Sequence, residues 1–189
     1  MDILQTGANG FLGKSILKEL SKTHIVKNLS RTSTDFKVSL EKEIPSFNQK
    51  FDLVVHAAGK AHSIPKKELE KMEFYNINVI GTQNLLKGLE EIGTPKQFVF
   101  ISSVAVYGQE SGKNIDENHP LNAKDIYGLT KIEAESLIIN WCEQNNVICT
   151  ILRLPLLVGK NPPGNLGNMI KAIERGYYFN IDGGKARKS

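Results

Sequence analysis

A tyrosine and a lysine that could transfer a proton stand four residues apart in the sequence, at Tyr127 and Lys131. Residues at this spacing project from the same face of a helix. A phenol is a poor acid or base at neutral pH unless its anion is stabilised, and a nearby ammonium group can supply that stabilisation. We therefore predict that Tyr127 is a catalytic acid/base and that Lys131 assists it.

A serine that could hold a substrate oxygen follows the apolar strand pattern at Gln97–Ser102. Ligands of open α/β sheets sit at the carboxyl ends of the strands, which is where this serine is expected. A hydroxyl group there can donate to a carbonyl or a developing alkoxide in line with the tyrosine. We predict that Ser103, rather than Ser102, has this role.

A glycine-rich turn, Thr6–Gly13, follows the first strand pattern and opens a helix. Gly7 and Gly10 allow the backbone to turn tightly and to approach a pyrophosphate, whose charge then meets the amino terminus of the helix. Gly13 permits close packing of the helix on the sheet. The dinucleotide-binding residues predicted in this turn are Gly7, Asn9, Gly10, Phe11, Leu12 and Gly13.

The residues after the second strand pattern bear on the identity of the dinucleotide. A site for a 2′-hydroxyl group normally offers an acidic residue here, whereas the sequence reads Leu29-Ser30-Arg31-Thr32-Ser33. The guanidinium group of Arg31 can pair with a 2′-phosphate. We therefore favour NADP(H) as the cofactor, with NAD(H) as the alternative because Asp35 is close by.

Strand and helix patterns alternate along the chain, which predicts a doubly wound parallel sheet of the α/β class. The strand patterns lie at Ile3–Gln5, Ile25–Ser30, Phe51–Ala57, Gln97–Ser102 and Val147–Leu154. The helical patterns lie at Phe11–Ser21, Pro65–Glu91 and Asp125–Asn145, and loops are predicted at 108–122 and 155–167. We expect residues 1–160 to form the dinucleotide-binding domain with the catalytic residues. Residues 161–189 would begin a substrate-binding lobe that is largely missing, since the chain looks cut short.

Several other classes of protein and site are not expected. There is no apolar run long enough to cross a bilayer and no signal-peptide pattern, so we expect a soluble, cytoplasmic protein without a membrane partner. The net charge of +4 fits solvated lysines, and we expect no nucleic-acid partner. Cys142 and Cys149 are expected to be reduced. His56, His62 and His119 lack ligand-like spacing, so no metal site is predicted.

Five ordered motifs together resemble the extended short-chain dehydrogenase/reductases, in particular the nucleotide-sugar epimerases, dehydratases and reductases. The resemblance covers essentially the whole chain. Its motifs are Thr6–Gly13, Val54–Gly59, Asn78–Leu86, Ser103 with Val106-Tyr107-Gly108, and Tyr127 with Lys131.

The resemblance implies a Rossmann-like fold and several roles for single residues. Ala57, Ala58 and Gly59 would line the cofactor, and Asn78 would sit in the long helix behind the active site. Lys131 would hydrogen-bond the nicotinamide ribose and lower the pKa of Tyr127. Arg153 would lead into the substrate lobe, and Arg187 would contact the nucleotide diphosphate of the substrate. The two long helical patterns could form a homodimer.

These features favour an NADPH-dependent 4-keto reductase of a nucleotide-linked sugar, and the alternative is an NAD-dependent nucleotide-sugar 4-epimerase. Elimination is not expected, because Val104 and Ala105 replace the Asp-Glu pair that the resemblance associates with dehydratases. A non-catalytic dinucleotide-sensing protein is a competing class, which Ser103, Tyr127 and Lys131 argue against. A reductase of a non-sugar ketone is a further alternative.

Overall fold

The computed structural model describes residues 1–33, 35–61, 65, 67–109 and 112–177. Six parallel strands form one sheet in the order β3-β2-β1-β4-β5-β6. The strands are β1 (Asp2–Thr6), β2 (Ile25–Ser30), β3 (Phe36–Lys37), β4 (Leu53–His56), β5 (Gln97–Ser103) and β6 (Ile148–Leu154). The predicted doubly wound parallel sheet is thereby confirmed.

The helices connect these strands as crossovers, as parallel pairing requires. They are α1 (Phe11–Leu20), α2 (Glu68–Tyr75), a π-helical segment (Asn76–Ile80), α3 (Gly81–Ile92), a 3₁₀ turn (Val104–Tyr107), α4 (Ile126–Gln144) and α5 (Gly164–Glu174). The long pattern at Pro65–Glu91 therefore contains three successive helical segments rather than one regular helix. Within the part of the chain described, no helix is long and apolar enough to span a membrane.

Two elements differ from the sequence-based prediction. Strand β3 was not predicted, because two residues are too few to show a periodic pattern. Helix α5 begins inside the predicted loop 155–167, because Pro163 serves as its N-cap residue and the helix starts at Gly164. A proline just before a helix is well tolerated, since its missing N–H would have no helical partner.

The direction of winding reverses between β1 and β4. The chain passes from β1 outward to β2 and β3, and then returns to place β4 on the other side of β1. Thr6 pairs with His56 at the carboxyl ends of these two strands. A doubly wound sheet opens a crevice at such a reversal, so the fold puts a binding cleft directly beyond Thr6.

The main core lies between the sheet and the layer formed by α3 and α4. Phe98 and Phe100 of β5 are fully or almost fully buried there, together with Leu85 of α3 and Ile138 of α4. Each buried side chain of this size stabilises the fold by about 1.5–3 kcal/mol. This packing holds α4 against β5, which brings the two catalytic candidates of α4 to the end of the strand that carries Ser103.

Candidate active site

The glycine-rich turn is packed so tightly that side chains could not replace two of its glycines. Gly7 has a φ of 72°, and a Cβ atom there would lie 2.5 Å from the carbonyl carbon of Ala57. A Cβ atom on Gly13 would lie 2.0 Å from the carbonyl oxygen of Gly7. Gln5 fixes the other side, since its Nε2 donates to the carbonyl oxygen of Gly13 at 2.7 Å. The turn is therefore a backbone cradle at the amino terminus of α1, suited to a pyrophosphate.

Two clefts meet at this cradle and share Gly7, Gly10, Ala57, Gly59 and Lys60. The first cleft, of about 760 Å³, runs towards the end of β2 and is also lined by Asn9, Ser30, Arg31, Thr32, Val38 and Ala58. The second cleft, of about 670 Å³, runs towards β5 and is also lined by Phe11, Leu12, Gly13, Ser103, Tyr127 and Lys131. The predicted dinucleotide-binding and catalytic residues thus lie along one continuous crevice, except for Asn78.

The end of β2 offers a cation and several hydroxyl groups to the first cleft. The Asn9 side chain donates to Thr32 Oγ1 at 3.0 Å and to Ser30 Oγ at 3.3 Å. Arg31 lines the cleft beside them. Asp35 is turned away, because its carboxylate accepts from the backbone N–H of Asn28 and from Lys27 Nζ, both at 3.0 Å. The Asn28 bond, followed by Lys27, lowers the pKa of Asp35, so this carboxylate is an ion-paired structural group.

Ser103 and Tyr127 both line the second cleft, and the Ser103 hydroxyl is close enough to lower the pKa of the Tyr127 phenol. Ser103 Oγ also accepts from the backbone N–H of Ala105 at 3.2 Å, which caps the 3₁₀ turn and fixes the serine rotamer. Ser102 points the other way, into the core, where its hydroxyl donates to Glu135. The arrangement leaves Ser103 as the serine that faces Tyr127 across the second cleft.

The pKa of Tyr127 is raised, whereas the resemblance implied that Lys131 would lower it. Burial raises the pKa of Tyr127, the nearby Ser103 hydroxyl opposes that shift, and the negative charge of Asp125 adds to it. Lys131 is not among the causes, because its Nζ donates to the carbonyl oxygen of Ile101 at 2.8 Å and lies 4.4 Å from the centre of the Phe100 ring. The phenol is therefore held in its protonated form at neutral pH.

Lys131 is a buried ammonium group, with 5% of its surface exposed. Burial lowers its pKa to about 8, and the negative charge of Glu135 opposes that shift. A Cβ atom on Gly59 would lie 3.3 Å from Lys131 Nζ. The absence of a side chain at position 59 therefore keeps the lysine within reach of the cleft.

Asn78 lies in the π-helical segment and fastens the loop after β4. Its Oδ1 accepts from the backbone N–H of Lys60 at 2.7 Å, and its Nδ2 donates to the Lys60 carbonyl at 3.2 Å and to Thr130 Oγ1 at 3.0 Å. Insertions of π-helical geometry are frequent at functional sites. Asn78 does not line either cleft, so it supports the cofactor loop from behind.

His56 belongs to a buried chain of hydrogen bonds that the sequence did not reveal. Its Nδ1 is 2.7 Å from Thr6 Oγ1, and its Nε2 is 3.0 Å from Thr82 Oγ1. Because the Thr82 hydroxyl donates to the carbonyl of Asn78, it accepts from Nε2–H, which assigns the tautomer from the network. Burial, aided by the positive charge of Lys131, lowers the pKa of His56 to about 3. The ring is therefore neutral and joins β1 and β4 to the helix behind them.

Sequence reasoning also missed an ion pair between Glu135 and Arg153, in which Arg153 Nη2 donates to Glu135 Oε2 at 2.9 Å. The ion pair joins α4 to β6, so no local sequence pattern could have predicted it.

Two sequence-predicted positions, Arg187 and His62, lie outside the described residues. The boundary between residues 1–160 and 161–189 stays a prediction.

Known proteins that are similar to this chain identify its family. A model of the NAD dependent epimerase/dehydratase family matches residues 3–181. The chain belongs to this family. It is an extended short-chain dehydrogenase/reductase, as the resemblance indicated, and NAD(P) dependence is a property of this enzyme family.

Individual members of the epimerase/dehydratase family are similar over most of this chain. The chain is 30% identical to the N-acetyl-alpha-D-glucosaminyl-diphospho-ditrans,octacis-undecaprenol 4-epimerase of Escherichia coli O157:H7, over 100% of this chain and 58% of the relative. It is 30% identical to the UDP-glucose 4-epimerase of Vibrio cholerae, over 92% of this chain and 57% of the relative. The crystal structure of a dTDP-4-dehydrorhamnose reductase from Clostridium acetobutylicum superposes with a TM-score of 0.73 at 29% identity, covering 93% of this chain and 60% of that one. The chain thus spans about 60% of the length of these proteins.

Proposed function

We propose that this chain binds NADP(H) and carries the catalytic residues of a 4-keto reductase that acts on a nucleotide-linked sugar. The observation that supports the choice of cofactor is the position of Arg31 in the first cleft, beside the hydroxyl groups of Ser30 and Thr32. A guanidinium group binds a phosphate strongly, and hydroxyl groups can add hydrogen bonds to its oxygens. Asp35, which could have favoured a 2′-hydroxyl group, is bonded to Asn28 and Lys27 instead.

The residues along the crevice have distinct proposed roles toward the dinucleotide. The cradle of Gly7, Asn9, Gly10, Phe11, Leu12 and Gly13 would hold the pyrophosphate. Ala57, Ala58 and Gly59 would line the dinucleotide, with Asn78 supporting their loop. Lys131 would donate to the nicotinamide ribose. When bound, the nicotinamide supplies or accepts the hydride.

The proton and the substrate oxygen would be handled by Tyr127 and Ser103. A reductase needs a proton donor at the oxygen that receives negative charge, and the raised pKa of Tyr127 keeps its phenol protonated. Ser103 and Tyr127 line the same cleft, so a carbonyl oxygen could lie within hydrogen-bond distance of both hydroxyl groups. Arg187 would contact the diphosphate of the substrate.

A nucleotide-sugar 4-epimerase is the second candidate, and the names of the two curated relatives favour it. An epimerase would use the same three side chains, with Tyr127 first accepting and then returning the proton. Since an epimerase regenerates its cofactor within each turnover, it gains little from the reducing NADPH pool. The cofactor preference therefore bears on the choice between the two.

The first test is titration of the protein with NADPH and NADH, followed by nucleotide fluorescence. We expect tighter binding of NADPH, and we expect Arg31→Ala to weaken NADPH binding by roughly tenfold to a hundredfold while leaving NADH binding unchanged, because a hydrogen-bonded charge contributes about 1.5–3 kcal/mol. Arg175→Ala is the matched control, since Arg175 is exposed after α5 and lines neither cleft. Preference of the wild-type protein for NADH would contradict the assignment.

A second test separates reductase from epimerase. A reductase consumes NADPH in proportion to a supplied dTDP-linked 4-keto sugar, whereas an epimerase interconverts UDP-glucose and UDP-galactose without net oxidation of the cofactor. We expect the first outcome, and we expect Tyr127→Phe to abolish it while the protein still binds NADPH. Binding of a dinucleotide without either reaction would favour a non-catalytic sensor.

A further inference from the structure

A buried carboxylate, Glu135, lies one helical turn after Lys131 and lines neither cleft. Only 1% of its surface is exposed. Its Oε1 accepts from the Ser102 hydroxyl at 2.5 Å, and Arg153 donates to both of its oxygens through Nε, each at 3.2 Å. Glu135 therefore bonds to the residue next to Ser103 and to the neighbouring strand at the same time.

Arg153 extends these contacts to the elements around the second cleft. Its Nη1 donates to the Tyr107 hydroxyl at 3.1 Å and to the carbonyl oxygen of Glu117 at 2.9 Å. The guanidinium carbon also lies 5.2 Å from the centre of the Tyr107 ring. One ion pair thus joins α4 and β6 to the 3₁₀ turn that Ser103 caps, and to the loop that follows it.

Stability alone does not account for this arrangement. Moving a carboxylate out of water is costly, and a buried ion pair often stabilises a fold no more than apolar side chains of the same volume. The ion pair here is linked to the catalytic candidates in two ways: Glu135 bonds to Ser102, which precedes Ser103 on β5, and Glu135 lies one turn after Lys131 on α4. That placement points to a role in the site.

We propose that Glu135 is a positioning residue: with Arg153 it fixes the end of β5 that carries Ser103, and it supplies the negative charge that Lys131 faces across one helical turn. The proposal rests on the proposed function for its catalytic meaning. Its electrostatic part concerns Lys131 alone and can be measured without a substrate.

The charged and titratable groups around the lysine define what can be attributed to Glu135. His56 of β4 faces Lys131 and is neutral, because burial lowers its pKa to about 3. Tyr127 lies on the same helix and is protonated at neutral pH, since burial raises its pKa. Arg153 and Cys149 of β6 face Glu135 itself. Glu135 is therefore the anionic side chain that opposes the lowering of the Lys131 pKa by burial.

The test is a pH titration of the Lys131 ¹³Cε resonance in lysine-labelled protein, with Lys131→Arg used to assign the signal. Glu135→Gln keeps the shape of the side chain and removes its charge, so we expect the pKa of Lys131 to fall by about one unit or more. Glu133→Gln is the matched control, because Glu133 lies on the same helix but is exposed and bonds to Tyr75. Equal pKa values of Lys131 in the two variants would overturn the proposal.

Two further variants keep the test decisive. Glu135→Asp retains the charge and should keep the pKa of Lys131 near the wild-type value. Glu135→Gln combined with Arg153→Gln leaves no unpaired buried guanidinium group, so it should fold where the single variant does not, and it should show the same lowered value. Fluorescence of Trp141, the only tryptophan of the chain, reports folding in each case.

The outcome for Glu135 and the outcome for the proposed function can be told apart. If the protein reduces a 4-keto sugar, the basic limb of its pH–rate profile should move to lower pH in Glu135→Gln and not in Glu133→Gln. If the protein binds neither dinucleotide, the proposed function fails, and the resonance titration alone still decides whether Glu135 sets the charge of Lys131. An unmoved basic limb in an active Glu135→Gln variant would overturn the positioning role.

Discussion

At the scale of single residues, burial decides which protonation states this site can use. Lys131 and His56 are both almost completely buried, and burial disfavours the charged form of each. The pKa of Lys131 is lowered less than that of His56, because the negative charge of Glu135 opposes the lowering at Lys131. The positive charge of Lys131 adds to the lowering at His56. The site therefore combines an ammonium group with a neutral imidazole.

The neutral imidazole predicts how stability depends on pH. His56 binds a proton near pH 6.5 when unfolded and only near pH 3 when folded, so the unfolded state binds more protons between these values. The contribution to stability is complete above about pH 6.5 and is lost as the pH falls, by about 1.4 kcal/mol for each pH unit. Denaturant unfolding at several pH values should show this slope.

Two variants isolate the contribution of His56. His56→Gln should unfold with a shallower dependence of free energy on pH, although it should be less stable at neutral pH because the bonds to Thr6 and Thr82 are disturbed. His24→Gln, at a partly exposed position after α1, should keep the wild-type slope. A wild-type slope in His56→Gln would show that another group causes the acid sensitivity.

At the scale of elements, the helix and turn that form the cradle depend on the absence of a side chain at Gly13. Replacing glycine by alanine inside a helix normally stabilises it by about 1 kcal/mol. Here the added methyl group would lie 2.0 Å from the carbonyl oxygen of Gly7, so α1 and the turn must move apart. We expect Gly13→Ala to lower the free energy of unfolding by about 1–3 kcal/mol and to weaken dinucleotide binding strongly.

Ser15→Ala is the control for this prediction, because Ser15 lies on the exposed side of the same helix. It changes helix propensity without entering the cradle, so both stability and NADPH affinity should stay close to the wild-type values. Unchanged NADPH affinity in Gly13→Ala would mean that the cradle tolerates the displacement and that the pyrophosphate binds elsewhere.

At the scale of the whole molecule, the exposed sides of α2 and α4 carry more apolar surface than solvated helices need. Leu69 and Met72 of α2 are 73% and 54% exposed, and Leu129 and Ile139 of α4 are also exposed. We propose that these helices form the homodimer that the sequence suggested, because apolar patches of this kind mark protein interfaces.

Sedimentation across a range of protein concentrations tests the dimer. We expect the wild-type protein to dimerise and Met72→Lys to remain monomeric at concentrations where the wild type does not. Ile173→Lys is the control, since Ile173 is a similarly exposed apolar residue on α5 and its replacement should leave the dimer intact. A monomeric wild-type protein would sink the proposal.

Much of the fold followed from local features of the sequence. The alternation of strand and helix patterns, the glycine turn after β1, and the spacing of Tyr127 and Lys131 are each contained in short stretches, and each reflects a periodicity or a backbone requirement that neighbouring residues share. The family resemblance rested on the same stretches and was confirmed. Helix α5 and strand β3 were missed, because a proline-containing start and a strand of two residues carry no such pattern.

The sequence by itself therefore determined the class of fold, the family and the residue types available for chemistry, since these depend on burial periodicity and on turns encoded locally. Only the tertiary structure decided which side chains act on one another. The fold turns Asp35 towards Lys27 and leaves Arg31 in the first cleft. It pairs Glu135 with Arg153. It also forms the series of hydrogen bonds from Thr6 through His56 to Thr82. The ion pair and the series of hydrogen bonds join residues 18 to 50 positions apart in the sequence. Packing in three dimensions therefore sets the distances between these side chains, and those distances set which of the side chains are charged.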